Sequence, residues 1–132
     1  KFNLNKLKHV PENIHLYNYV PQLQVLKMSD VFVTHGGMNS VSEAFVYNVP
    51  QVVIPFSSDQ PVNGQCVEKM GAGKQLSLSA LNKDILKNTV FSVMNDTEIK
   101  KNLKKIRNLI CESAGNEGAA EMIIEVIRRK GD

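Results

Sequence analysis

The chain has 132 residues, enough for one domain that buries a core without disulfide or metal staples. Its 42% apolar and 22% charged content is that of an ordinary globular domain and excludes collagen, coiled coil and wholesale disorder. The net charge of +3 comes from 16 basic and 13 acidic residues, much of it in Lys100, Lys101, Lys104, Lys105 and Arg107 and in Arg128, Arg129 and Lys130; these clusters alternate with apolar residues at helical spacing, read as solvated helix faces, and imply no nucleic-acid partner.

In chain order, residues 13–19 (NIHLYNY) read as a strand and residues 22–28 as a short helix with Leu23, Val25 and Leu26 on its inner side. Residues 31–34 (VFVT) are a β-branched and aromatic run suited to a buried strand, followed by His-Gly-Gly and a helix over about 39–47. A strand at 51–55 (QVVIP), a helix over about 61–70 and a short strand at 74–78 complete the alternating part. Continuous apolar strands are those covered by helices on both faces. Alternating β and α elements predict an α/β fold, a Rossmann-like parallel sheet with helices on both faces. From residue 79 the chain reads as a wholly helical tail, with helices at 81–94, 98–113 and 117–130; Ile99, Leu103, Ile106 and Ile110 form one stripe of the second.

Cys66 and Cys111 stand far apart without a CxxC pair, and His9, His15 and His35 do not complete a zinc-ligand spacing with them. These are expected to be free thiols of a cytoplasmic protein, with no metal. No apolar run approaches the roughly 18 residues of a membrane span, and no signal-peptide core opens the sequence, so no membrane is expected for this segment.

In an open α/β sheet, ligands bind beyond the carboxyl ends of the strands. Three segments deliver polar groups there: 19–22, 35–43 and 57–60. In THGGMNSVSE two glycines separate a strand end from a helix start, which exposes unpaired N–H groups at the positive end of a helix dipole and makes an anion cradle suited to a diphosphate. His35, Asn39 and Ser40 can donate to phosphate oxygens. Glu43, four residues after Asn39 on the same helix face, can accept the two hydroxyls of a ribose. The same residues admit plainer readings: Ser40-x-x-Glu43 matches a capping box, Asn39 or Ser40 can be an ordinary N-cap, and His35 a strand-end residue. A nucleophilic triad of Ser57 or Ser58 with Asp59 and His35 is the rival enzyme reading, and it lacks a G-x-S-x-G elbow.

The run YVPQLQVLKMSDVFVTHGGMNSVSEAFVYNVPQVVIPFSSDQPVNGQCVEKMGAG, residues 19–73, resembles the donor-binding domain of the UDP-glycosyltransferases, which pair two facing Rossmann-like domains (the GT-B fold), and most resembles the bacterial macrolide branch. The resemblance implies the carboxyl-terminal half of such an enzyme. Tyr19 stands where the family usually has a tryptophan stacked on uracil, and a tyrosine stacks with less area. Val20 and Gln22 would contact uracil and ribose, His35, Gly37, Asn39 and Ser40 the diphosphate, Glu43 the ribose, and Asp59 and Gln60 the sugar hydroxyls. Asn48 replaces the family's usual glycine, and asparagine can still adopt the left-handed conformation that ends a helix.

What the family resemblance further implies is an inverting, metal-independent transfer from a UDP-sugar, UDP-glucose being commonest, to a small-molecule hydroxyl acceptor. The acceptor base is a histidine of the other, amino-terminal domain, so no catalytic residue is expected in this chain beyond the assistance His35 gives to departing UDP. No Asp-x-Asp metal motif is present, and no cofactor is expected. The family's domain has two strand–helix units before residue 13. The chain is therefore expected to be a piece of a longer protein, inactive alone, with sheet edges that invite a homodimer or pairing of residues 13–19 against 31–34. The alternative is a nucleotide-sugar-binding module that becomes catalytic only with a separate acceptor-domain partner.

Overall fold

A computed structural model describes residues 10–112. The elements are α1 (Gln22–Leu26), β1 (Phe32–Thr34), α2 (Met38–Val46), β2 (Gln51–Val53), α3 (Gln60–Lys69), β3 (Gly73–Gln75), a 3-10 turn at Leu78–Ala80, α4 (Lys83–Asn95) and α5 (Thr97–Glu112). The three strands form one parallel sheet in the order β1-β2-β3. Phe32, Val33 and Thr34 align with Gln51, Val52 and Val53, which align in turn with Gly73, Lys74 and Gln75. Each parallel neighbour is reached through a helix, α2 and then α3, as a parallel connection requires.

β2 lies in the centre and buries all three residues. Successive side chains of a strand point to opposite faces, so both faces of β2 are covered. The main core joins Val52 and Val53 to Val41 and Phe45 of α2, Val67 of α3, Val93 of α4 and Ile99, Leu103 and Ile106 of α5. The apolar stripe of α5 therefore packs inward as expected through Ile106, while Ile110 lies at the exposed end of the helix. A smaller cluster of Leu26, Ala44 and Val49 fastens α1 beneath α2.

The caps follow local chemistry. Asn48 has φ 55 and ends α2 in the left-handed conformation. With its amide oriented to satisfy both atoms, its nitrogen donates to the Leu103 carbonyl at 3.1 Å and its oxygen accepts from Arg107 at 3.1 Å, which ties the turn to α5. Asn82 caps α4 by accepting from the amides of Asp84 and Ile85.

Several expectations need correction. Residues 13–19 form no strand: the stretch is exposed throughout and its backbone bond is a local turn, from Ile14 N–H to the Pro11 carbonyl at 2.9 Å. An alternating pattern becomes a strand only where a neighbour completes the ladder, and no described strand lies on the free side of β1. Pairing of this stretch against residues 31–34 does not occur. For the same reason the run at 31–34 is not buried on both faces, and Val33 is 44% exposed. In α1 only Leu26 turns inward; Leu23 and Val25 are exposed, because a five-residue helix presents a single position to the core. The other helices and strands lie within a few residues of their expected bounds, and the helix expected at 117–130 lies outside the described residues.

Candidate functional site

The carboxyl ends of β1 and β2 open onto a cleft of about 370 Å³ lined by His35, Gly37, Met38, Asn39, Ser40, Asp59 and Gln60. Its floor is the turn from β1 into α2. Gly36 has φ +88, a conformation that an L side chain rarely adopts, and a Cβ there would lie 2.6 Å from Val53 Cγ1. Its N–H donates to Thr34 Oγ1 at 3.2 Å and is taken. The next four amides, Gly37 to Ser40, donate to no described residue, and α2 has no side-chain cap. They are the free donors of a helix start, where the dipole is positive. The His35 ring stands over them, since a Cβ at Gly37 would lie 2.8 Å from His35 Nε2. Among the described residues no lysine or arginine lines this cleft. An anion bound there is held by amides, His35 and short polar side chains.

The capping-box reading does not hold. Gly37 is the N-cap of α2, which places Ser40 inside the first turn, and the Glu43 carboxylate does not reach back to the helix start. It accepts instead from Gln22 Nε2 at 2.6 Å, and the same nitrogen donates to Ser40 Oγ at 3.2 Å. This trio stands between the first cleft and a larger one of about 850 Å³, lined by Tyr17 to Gln24, Lys27, Glu43 and Tyr47. Tyr19 is 85% exposed at its mouth, its ring not packed into the fold. Val20 and Gln22 line the same wall. Lys27 sits 5.8 Å from the centroid of the Tyr47 ring on the far side, a contribution the sequence reading did not anticipate.

At the other end, Asp59 is the N-cap of α3 yet does not cap it with its side chain. Its Oδ2 accepts from Asn63 at 2.8 Å. Gln60 Oε1 accepts from the amides of Phe56 at 2.8 Å and Ser57 at 3.2 Å, so its oxygen is committed to the loop and only its NH₂ faces outward. Ser58, between them, adopts φ 60. His35 makes no described hydrogen bond to Ser57, Ser58 or Asp59, so the triad has no proton path. Among the described residues no three His, Cys, Asp or Glu side chains are grouped to hold a metal ion, and Cys66 and Cys111 are free and exposed. No described helix is long and apolar enough to cross a membrane.

The ten residues singled out from sequence thus line two clefts whose walls are joined by the Gln22–Ser40–Glu43 trio: Tyr19, Val20, Gln22 and Glu43 the larger, His35, Gly37, Asn39, Ser40, Asp59 and Gln60 the smaller. Asn63 was overlooked, although its place four residues after Asp59 on one helix face was a readable signal.

Residues 2–127 match the family model described as "Erythromycin biosynthesis protein CIII-like, C-terminal domain". The chain is 44% identical over 130 residues to the uncharacterized UDP-glucosyltransferase YdhE of Bacillus subtilis (strain 168), covering 98% of this chain and 33% of that protein. It is 41% identical over 126 residues to the uncharacterized UDP-glucosyltransferase YojK of the same strain, covering 96% and 31%. Among solved structures, the glycotransferase of kitacinnamycin superposes with a TM-score of 0.87 at 34% identity, covering 92% of this chain and 32% of that one. The chain spans about a third of the length of the relatives it matches. The match runs through the strands, the glycine turn and the tail helices alike, and on it the chain belongs to the erythromycin biosynthesis protein CIII-like C-terminal domain family of the UDP-glycosyltransferases.

Proposed function

We propose that this domain binds a UDP-sugar, UDP-glucose foremost, as the donor half of an inverting, metal-independent glycosyltransferase that acts on a small-molecule hydroxyl in the cytoplasm. The observation that carries the reading is the row of unpartnered amides from Gly37 to Ser40, which share a cleft with His35 and lie one turn from a carboxylate already oriented by Gln22. The diphosphate sits on the amides, Glu43 and Gln22 take the ribose, Tyr19 stacks on uracil, and Asp59 and Gln60 meet the sugar. The UDP-glucosyltransferase names of the two Bacillus subtilis relatives support the choice of donor.

In the reaction an acceptor oxygen forms a bond to the anomeric carbon from the face opposite UDP. The bond from that carbon to the β-phosphate oxygen breaks, and its electron pair stays on UDP. The helix start and His35 stabilise that growing charge without reorganising, because their dipoles are fixed before the reaction begins. The acceptor proton goes to a base in an acceptor domain. His35 lies on the phosphate side, which favours such a division of labour. A donor-binding module that works only with a separate acceptor subunit satisfies the same geometry.

Titrating the 132-residue chain with UDP, then adding UDP-glucose and a phenolic acceptor with and without a relative's acceptor domain, tests the reading. Binding of UDP without turnover is expected, with turnover only in the two-component mixture. Absence of UDP binding would sink the donor site, and turnover by the chain alone would overturn the placement of the base.

A further inference from the structure

One buried polar side chain touches both ends of the smaller cleft without lining it. Asn63 in α3 is 4% exposed, and its Nδ2 donates to the Gly36 carbonyl at 2.9 Å and to Asp59 Oδ2 at 2.8 Å. Both partners are acceptors only, so the amide nitrogen must face them, and its two hydrogens are both used. The first bond holds the carbonyl of the left-handed residue from which the free amides of α2 run. The second fixes one oxygen of a carboxylate that is otherwise exposed at the lip of the cleft and leaves Oδ1 facing outward. The strained φ of Ser58 immediately before that carboxylate shows how closely the loop is determined.

We propose that Asn63 is a positioning residue that couples the diphosphate turn to the sugar-binding carboxylate, so that one amide sets the distance between the two groups a nucleotide-sugar must meet together. This rests on the donor-site reading above. Without the amide, Asp59 is free to rotate into solvent, and ordering it again on binding costs affinity for the sugar alone. The Gly36 carbonyl loses its buried partner at the same time.

The decisive quantity is the ratio of the Kd for UDP to the Kd for UDP-glucose, measured by calorimetry on the full chain. Asp59→Ala should change that ratio. Asn63→Ala and the isosteric Asn63→Asp, which turns an oxygen toward both acceptors, should change it in the same direction by about three- to ten-fold, the worth of one ordinary hydrogen bond. In the Asp59→Ala background Asn63→Ala should leave the ratio where it is. A ratio that moves with Asp59→Ala but not with either Asn63 variant overturns the coupling, as does a double variant whose effects add. A ratio that ignores Asp59→Ala removes the sugar contact itself and with it this part of the donor site. Should Asn63→Ala fail to fold, Asn63→Asp carries the comparison. In the unsubstituted chain the Asn63 side-chain amide protons, followed by NMR, should shift more with UDP-glucose than with UDP, and equal shifts would also overturn the proposal.

Discussion

In the smaller cleft, to which the proposed function assigns the diphosphate, the main-chain amides that face a ligand are fixed by a left-handed glycine wedged against Val53 and by the buried amide of Asn63. In the larger cleft, to which the proposed function assigns the nucleoside, the groups that face a ligand are side chains on residues 17–24, where the backbone is irregular, the rings of Tyr17 and Tyr19 are exposed, and only Leu26 of the following short helix is anchored. The first end is intolerant of atoms added to its backbone, because main-chain amides supply much of its donor set beside His35 and short polar side chains. The second can be altered residue by residue without disturbing the core. Binding strength and fold stability should therefore part company at one end and travel together at the other.

Three substitutions sharpen that contrast. The largest effect is expected for Gly36→Ala, where a Cβ would press on Val53 Cγ1 and the left-handed backbone is disfavoured as well; about 2–3 kcal/mol of stability should be lost together with UDP binding. Thermal unfolding and calorimetry on the same sample check it, and a variant that binds UDP normally would break the view of a backbone-built end. Next comes Glu43→Ala, expected to weaken UDP by about 1.5–3 kcal/mol, as hydrogen bonds to a charged group do, while unfolding shifts little because the carboxylate is only partly buried and its partner Gln22 is not in the core. An equal loss of stability would make the trio with Ser40 a structural clasp instead. The smallest is Tyr19→Trp, which restores the larger ring and should tighten UDP by roughly 0.5 kcal/mol or less at unchanged melting temperature, since stacking scales with ring area. Tighter binding of ribose 5-diphosphate, which carries no base, by the same amount would show that the ring does not touch the base.

Much of this organisation was legible in the sequence. The strands at 32–34 and 51–53 and the helices that follow them come from apolar runs punctuated by glycine and proline, local signals that the structure obeys, while the third strand, expected at 74–78, forms at 73–75. The crevice was legible because ligand groups cluster where strand ends meet helix starts. Residues 13–19 misled because alternation records a strand's side-chain faces but not whether a neighbour supplies the hydrogen bonds. Leu23 and Val25 misled because periodicity over five residues cannot distinguish a core face from a surface one. Asn63 escaped notice because a buried asparagine is ordinary in composition, and its importance lies in joining a partner four positions away to one 27 positions away.

The engagement of Gln60 has a consequence for selectivity. With its oxygen bound to the Phe56 and Ser57 amides, it offers a ligand hydrogens alone, while the neighbouring carboxylate offers lone pairs alone. The lip of the cleft thus has a fixed polarity, a donor beside an acceptor, and a hydroxyl answers both because it can give and receive at once. If the sugar lies there as proposed, a deoxygenated ring would leave two wetted groups stripped of water and unmatched, and such donors should bind more weakly.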